Sequence, residues 1–154
     1  MPNVAGIESN AALWVAIFAW FAASFLKVVI MFCKTKQIKF SLIVSSGGMP
    51  SAHSAFVAAM ATSVGVYEGF DSPVFALAAV ISIIVMYDAS GVRRAAGRQA
   101  KAINKMTDKM VENFKEFADT FDKRLKEVLG HSPLEVLAGC LLGIGLALIE
   151  GYLL

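Results

Sequence analysis

Charge is scarce in this 154-residue chain: 17% of its residues are Asp, Glu, Lys or Arg, whereas 57% are hydrophobic. A soluble domain needs more polar surface than this, so a compact soluble all-α domain is the less favoured alternative. Cysteine is also scarce, and Cys33 and Cys140 show neither a disulfide framework nor a zinc spacing. No cluster of carboxylates suits a metal ion. We therefore expect no metal and no cofactor.

Basic residues are absent before the first apolar run, so it lacks the positively charged start of a cleaved signal peptide. We expect it to be retained as an anchor helix. Four apolar segments can be distinguished, at residues 11–33, 51–67, 73–87 and 133–154. The first and last reach the roughly 20 residues that a spanning helix needs, and the middle two are shorter.

If all four segments cross a membrane, the 14 Lys and Arg residues and both histidines fall at one surface. Basic residues favour the cytoplasmic side, so both termini are expected on the other side. That other side carries only acidic residues, namely Glu8, Glu68, Asp71 and Glu150. The sequence therefore predicts an all-α polytopic membrane protein with about four transmembrane helices in a single domain, 1–154. Membrane lipids are the expected surroundings, and nucleic acid is not an expected partner.

A cytoplasmic helical insertion is predicted at about 94–130, between the third and fourth apolar segments. Its core, 98–129, has apolar residues at steps of three and four, which is typical of one long amphipathic helix. Those residues are Ile103, Met106, Met110, Phe114, Phe117, Phe121, Leu125 and Val128. The helix could pack on its own domain or on a second copy. Alternatively, it could lie in the plane of the lipid headgroups.

Three polar clusters lie at the predicted cytoplasmic face. In the first, Gly48 leads into a helix start that Ser51 can cap, followed by Ala52 and His53. Free backbone N–H groups at a helix start attract phosphate, and His53 lies within reach of an anion bound there. Taken alone, this cluster is better explained as an ordinary capped helix start with an interfacial histidine.

The second cluster lies at the inner end of the third apolar segment. Arg93 or Arg94 can hold two phosphate oxygens with its planar guanidinium group, and Asp88 could accept from an arginine or from a histidine ring. Flanking positive charge alone would explain one arginine, but not the acid. Lys27 either extends to the membrane surface or marks a site, and the two interpretations are equally favoured.

The third cluster starts the fourth apolar segment. Ser132 and Glu135 form a capping box around Pro133, which stands at the first helical position. His131 and Glu135 are four residues apart, so the carboxylate could instead orient one ring nitrogen and leave the other free to attack. We expect both roles of Glu135 to coexist only if the helix begins one turn before Pro133.

These residues resemble motifs of the type 2 phosphatidic acid phosphatase superfamily, the relatives of vanadium haloperoxidases, and in particular its divergent branch. The superfamily motifs are Lys-x6-Arg-Pro, Pro-Ser-Gly-His and Ser-Arg-x5-His-x3-Asp. Pro50-Ser51-Ala52-His53 resembles the second, and His131-x3-Glu135 resembles the end of the third. Lys27-x6-Lys34 is similar to the first. The resemblance spans nearly the whole chain.

The resemblance implies roles for these residues. His131 would be the nucleophile that forms a phosphohistidine, Glu135 would orient it, and His53 would be the general acid. Phosphate would be held by Lys27, Lys34 and the backbone at Ser51 and Ala52. The third motif's arginine would fall at Leu125, so we expect Arg93 to replace it, with Arg94 and Arg124 as alternatives. Gly48, Asp88 and Arg94 would support the site. Family members commonly have six spans, so a homodimer would complete the bundle.

The leading hypothesis is an integral membrane phosphatase that hydrolyses a lipid phosphate monoester or diphosphate at the cytoplasmic face without a metal. Two histidines with Arg and Lys on one face suit phosphoryl transfer, because positive groups stabilise the charge on the equatorial oxygens. The rival hypothesis is a non-catalytic membrane protein that binds or transports lipid phosphates or serves as a scaffold. Haloperoxidase activity is disfavoured, since a lipid-embedded site suits that chemistry poorly.

Overall fold

The computed structural model of the protein describes residues 4–36, 48–113, 125 and 130–153. Every element in these ranges is helical, which confirms the all-α class. A short 3-10 helix, Val4–Ile7, precedes five α-helices: α1 (Ala11–Thr35), α2 (Ala52–Glu68), α3 (Pro73–Ser90), α4 (Val92–Asn113) and α5 (Pro133–Leu153).

Serine side chains fix the starts of three helices. Ser51 caps α2, Ser72 caps α3 with Pro73 following it, and Ser132 caps α5. Each hydroxyl oxygen accepts a backbone N–H from the first turn, which satisfies a donor that the helix itself leaves without a partner. These predicted helix starts are confirmed, and of the two residues considered for α3 it is Ser72 that caps. Asn10 caps α1 in the same way, which the sequence analysis did not predict.

Helix α2 lies at the centre of the bundle and packs against α1, α3 and α5. Helices α2 and α5 run parallel, because the N–H of Ser51 donates to the carbonyl of Glu135 at 2.9 Å and Tyr67 contacts Glu150 at the other end. Helices α1 and α3 run the opposite way. We call the end where α2 and α5 begin the histidine end, and the end with Glu8 and Glu150 the acidic end.

Small residues allow α2 and α5 to approach closely. A Cβ added at Gly139 would collide with the carbonyl oxygen of Ser51, and one at Gly143 would collide with that of Ala55. Glycines four apart on one face let two membrane helices bring their backbones into contact, which increases their van der Waals packing. This interface sets the distance between the starts of α2 and α5, and hence the position of the histidines.

A hydroxyl group joins α2 to α3. The Ser82 hydroxyl lies 2.8 Å from the carbonyl oxygen of Val57, across the helix interface. Near the turn between the two helices, Phe70 and Phe75 make an edge-to-face pair with ring centroids 5.1 Å apart. Gly65 makes room for both rings, since a Cβ there would collide with them.

Three helical stretches among the described residues are long and apolar enough to cross a membrane: Ala11–Thr35, the α3–α4 stretch Pro73–Met110, and Pro133–Leu153. Helix α2 has 17 residues, which corresponds to a length of roughly 25 Å. Helix α2 is surrounded by α1, α3 and α5. Crossing by α2, and with it a total of four spans, stays a prediction.

The prediction of one long helix over 98–129 is wrong. Helix α4 begins earlier, at Val92, and the side chain of Asn104 bonds to both the carbonyl and the N–H of Leu125, at 2.8 and 3.0 Å. In a continuous helix these two residues would be about 30 Å apart. Hydrophobic spacing cannot detect this contact, because it would look the same in one helix or in two segments that pack together. The other apolar positions from Phe114 onward lie outside the described residues.

Candidate functional site at the histidine end

A carboxylate at the start of α5 holds the ring of His131. Glu135 Oε2 lies 3.1 Å from His131 Nδ1 and accepts the N–H of Ser132 at 3.1 Å. The N–H of Glu135 in turn donates to the Ser132 hydroxyl at 3.3 Å, which completes the capping box. The two predicted roles of Glu135 therefore coexist in a helix that begins at Pro133. The expectation that they require an earlier start is wrong, because His131 precedes the cap and its ring can still reach the carboxylate.

The backbone before α5 is fixed against the junction of α3 and α4. The N–H of His131 donates to the carbonyl of Ala89 at 2.9 Å. Gly130 has φ of 82°, and a Cβ there would collide with the backbone of Arg94 and Ala89. Only glycine combines this conformation with so close an approach. His131 is thus positioned by its main chain as well as by its ring.

The ring of His131 is buried, with 3% of the residue exposed. Burial lowers the pKa of His131 below its usual range, and the charge of Lys27 lowers it further. The hydrogen bond and charge of Glu135 oppose this shift, as does a hydrogen bond to the backbone of Gly48. Because the net shift is downward, the neutral imidazole is the form favoured at neutral pH.

Lys27 is also buried, with 3% exposed, although it lies in α1. Its aliphatic chain packs on Gly48, where an added Cβ would lie 3.1 Å from the lysine Cγ and Cδ. Gly48 has φ of 96°, which favours glycine on its own account. Lys27 therefore does not simply extend into the solvent at the membrane surface; it contributes positive charge beside both histidines.

His53 and His131 line the same small cavity, together with Val85, Asp88, Ala89 and Arg93. Its volume is about 20 Å³, enough for roughly one water molecule. His53, in the first turn of α2, is exposed. Two imidazoles that are 78 positions apart in the chain (53 to 131) thus face one space.

Arg93 and Asp88 form an ion pair at the mouth of this cavity. Arg93 Nε donates to Asp88 Oδ2 at 2.7 Å, and both side chains are exposed. Of the two partners considered for Asp88, the structure shows the arginine. An exposed pair of this kind is weak, so the guanidinium group can be drawn to a stronger anion at little cost.

The remaining predicted residues lie around this centre without lining the cavity. Ser51 and Ala52 are buried, and the N–H of Ser51 is bonded to Glu135. The Ser51 hydroxyl accepts from both the N–H and the hydroxyl of Ser54. Lys34 and Arg94 are exposed on α1 and α4. The cavity therefore brings His53, His131, Arg93 and Asp88 together, with Lys27, Gly48 and Glu135 directly behind His131.

A second groove, which is apolar, begins at His53. Its lining consists of His53, Ile17, Trp20 and Phe56, and its volume is about 300 Å³. Trp20 is seven residues before Lys27 in α1, so the groove extends roughly 10 Å from the histidine end along the bundle. His53 thus stands between a polar cavity and an apolar groove.

Sequence reasoning missed the residues that position the site by small size or by backbone. These include Gly130, Gly139 and the carbonyl of Ala89. A glycine directly before His131 was a usable signal, and so was the Gly139-x3-Gly143 spacing in an apolar segment. The carbonyl of Ala89 left no signal, since any residue could supply it. Within the described ranges, no group of three or more His, Cys, Asp or Glu residues could hold a metal ion.

The arrangement described above is that of a helical membrane protein with a two-histidine site at one end. The chain belongs to the Divergent PAP2 family, whose model matches residues 8–146. It is 42% identical over 151 residues to the uncharacterized membrane protein YuiD of Bacillus subtilis (strain 168), covering 94% of this chain and 96% of that protein. No solved structure matches the chain. The predicted family is thereby confirmed, and so is a location in a membrane.

Proposed function

We propose that this protein is a metal-independent phosphatase that hydrolyses a lipid phosphate monoester or diphosphate at the cytoplasmic face. The observation that carries the proposal is the single cavity lined by His53, His131 and Arg93, with Glu135 on the far side of the His131 ring. A nucleophile, an orienting carboxylate, a second proton-transferring group and a phosphate-binding cation are the components that hydrolysis through a covalent intermediate needs.

In the first step, His131 attacks phosphorus through Nε2 and the bond to the leaving oxygen breaks. Nδ1 faces Glu135, so the carboxylate favours the tautomer with its proton on Nδ1 and the lone pair on Nε2. His53, as the protonated imidazole, gives its proton to the leaving oxygen. The products of this step are a phosphohistidine at His131 and the lipid alcohol from a monoester, or the lipid monophosphate from a diphosphate.

In the second step, neutral His53 takes a proton from water, whose oxygen attacks the phosphohistidine. The bond between phosphorus and Nε2 breaks, inorganic phosphate leaves, and His53 is again protonated for the next cycle. Arg93 and Lys27 stabilise the negative charge on the equatorial oxygens in both steps. The balance is one monoester and one water converted to one alcohol and one phosphate, or one diphosphate and one water converted to one monophosphate and one phosphate.

The groove that starts at His53 favours a lipid over a soluble substrate. Its lining of Ile17, Trp20 and Phe56 suits a hydrocarbon chain, whereas the phosphate would lie on the other side of His53. A cavity of about 20 Å³ is too small for phosphate, so Arg93 has to swing outward from Asp88 when the substrate binds. A homodimer and a single domain over 1–154 stay predictions.

The deciding experiment is phosphate release from a short-chain lipid phosphate by the purified protein, with chelator present. We expect turnover, inhibition by vanadate, and an acid-labile phosphoryl label on the wild-type protein. His131→Ala removes both the turnover and the label, whereas Tyr152→Phe, at an exposed position of the acidic end, leaves both unchanged. Full turnover by His131→Ala would refute the mechanism.

A second candidate is a protein that binds lipid phosphates without hydrolysing them. It is favoured by the ion pair of Arg93 with Asp88 and by the bonds that hold His131 to Glu135 and Gly48. Both leave the groups that should react already engaged. Saturable binding of a lipid phosphate, with no release of phosphate and no phosphoryl label, would support this candidate over the phosphatase.

A further inference from the structure

A large cavity lies at the acidic end, away from both histidines. Its volume is about 640 Å³, within the range of roughly 300–1,000 Å³ that small-molecule sites occupy. Its lining combines the start of α1 with the end of α5 and includes Trp14, Phe18, Leu146, Ile149, Glu8 and Glu150. The walls are mostly apolar, and the charged residues among the lining are Glu8 and Glu150.

One carboxylate oxygen of Glu150, a residue that lines this cavity, has no hydrogen-bond partner among the described residues. Glu150 Oε1 accepts the hydroxyl of Tyr67 at 2.6 Å, whereas Glu150 Oε2 is buried and makes no hydrogen bond within the part of the chain that the structure describes. A buried acceptor without a donor is energetically unfavourable, and more so when it is charged. The described Lys and Arg residues all lie toward the histidine end or on α4, so none supplies the missing donor.

The second carboxylate is held over the cavity by local structure. The indole N–H of Trp14 donates to the carbonyl of Ile7 at 3.1 Å, and Ser9 Oγ donates to the carbonyl of Gly6. These bonds fix the short segment that carries Glu8 against the start of α1. The Trp14 ring itself lines the cavity. Carboxylates beside an aromatic ring are the chemistry that recognises an ammonium group.

We propose that this cavity binds an amphiphile with an ammonium headgroup. The headgroup lies between Glu8 and Glu150, whose negative charges it balances, and is covered by the Trp14 ring. The hydrocarbon chain lies along Phe18, Leu146 and Ile149. The proposal goes beyond the phosphatase and does not depend on it, since none of these residues belongs to the histidine site and the test measures no turnover.

The test uses tryptophan fluorescence, because the chain has two Trp residues. In Trp20→Phe protein the sole tryptophan is Trp14, inside the cavity. In Trp14→Phe protein it is Trp20, in the groove beside His53. Each variant, in neutral maltoside detergent, is titrated with 6-bromohexylammonium and with 6-bromohexanoate, whose chains are short enough to keep the bromine near the residue that covers the headgroup. The two bromine quenchers share the same chain and differ in headgroup charge.

We expect the ammonium compound to quench Trp14 half-maximally at a concentration at least tenfold below that of the carboxylate. For Trp20 the two compounds differ by less than threefold. Glu150→Gln reduces the tenfold preference at Trp14 to less than threefold, and Glu8→Gln reduces it by a smaller factor. If Glu150→Gln does not fold, the loss of preference in Glu8→Gln still decides the matter.

Two results would overturn the proposal. One is equal quenching of Trp14 by both compounds, which would mean that the cavity takes hydrocarbon without regard to charge. The other is efficient cross-linking of two copies through Leu153→Cys together with exclusion of both quenchers. That outcome would make this surface an interface between copies of the chain.

Discussion

The two ends of the α2–α5 pair show how one helix interface can frame two opposite kinds of site. At the histidine end, Glu135 accepts from Ser132 and holds His131, so the polar groups satisfy one another around a cavity of about 20 Å³. At the acidic end, Glu150 accepts from Tyr67 with one oxygen only, beside a cavity of about 640 Å³. A tight, satisfied centre suits positioning of reacting atoms, whereas an open, unsatisfied one suits binding.

The largest expected effect is a loss of hydrolysis caused by a substitution at the histidine end. His53→Gln removes the proposed general acid, so hydrolysis of a lipid phosphate should fall by about 10²–10⁴-fold. A p-nitrophenyl ester needs little help for its leaving group, so its first-turnover release of p-nitrophenol should fall far less, even though the second step still needs His53 as its base. The measurement is the first-turnover rate of leaving-group release from each substrate in mutant and wild type, with Tyr152→Phe as the control from the acidic end. An equal loss of this rate for both substrates would exclude His53 as the acid.

The next effect tests the interface that both ends share. Gly139→Ala forces α5 away from the carbonyl of Ser51, and overpacking of this kind costs about 1–3 kcal/mol. Gly145→Ala is the matched control, because an added Cβ there meets nothing within 4 Å. It should be neutral or stabilise by up to about 1 kcal/mol through helix propensity. Thermal unfolding in detergent measures both. Equal melting temperatures for the two variants would contradict the packing described for Gly139.

A smaller effect is expected from the hydrogen bond at the acidic end. Tyr67→Phe deletes the donor to Glu150 Oε1, at a cost of roughly 0.5–1.5 kcal/mol. The same deletion at Tyr152, which is 91% exposed, should cost nothing measurable. Denaturant unfolding of both variants checks this difference. If Tyr67→Phe were as stable as wild type, the 2.6 Å contact would not contribute to the fold.

The smallest effect is a shift in the titration of His131, which NMR can follow in His53→Gln protein, where it is the sole histidine. We expect the pKa of His131 to lie below its usual value of about 6.5. Lys27→Met should raise this pKa, since it removes a positive charge, and Glu135→Gln should lower it, since it removes a negative one. Opposite signs would show that these groups do not face the ring.

The same shift has a consequence for stability. His131 keeps its usual pKa when unfolded, so the unfolded state binds more protons between that value and the lowered one. The buried neutral ring therefore makes its full contribution to the free energy of unfolding above the unfolded pKa. This contribution is lost as the pH falls toward the folded pKa. The effect should disappear in His131→Ala.

Local signals in the sequence predicted local structure well. Helix starts were predicted from Ser51, Ser72 and Ser132, because an N-cap depends only on residues within one turn. Polar residues at the ends of apolar runs likewise predicted which residues surround the cavity. Burying a charge in such a run is energetically unfavourable, so a charged residue there indicates a site.

What the sequence concealed depends on contacts between distant segments. The bond from Asn104 to Leu125 cannot be inferred from spacing, and it excludes the long helix that the apolar periodicity favoured. Close approach at Gly139 and Gly130 depends on which backbone lies opposite, which no local pattern specifies. Both roles of Glu135 were predicted, but the earlier helix start that they were expected to require was wrong, because a residue that precedes a helix can still reach its first turn.

The enclosed position of α2 has a consequence for how the protein is made. This helix is rich in alanine and buries the hydroxyls of Ser51, Ser54 and Ser63 among its neighbours, so it gains little from contact with lipid alone. Its partner α5 is translated after α2, α3 and α4. Biogenesis must therefore keep α2 sheltered until α5 has been made, and a nascent chain halted before α5 should be a preferred substrate for membrane quality control.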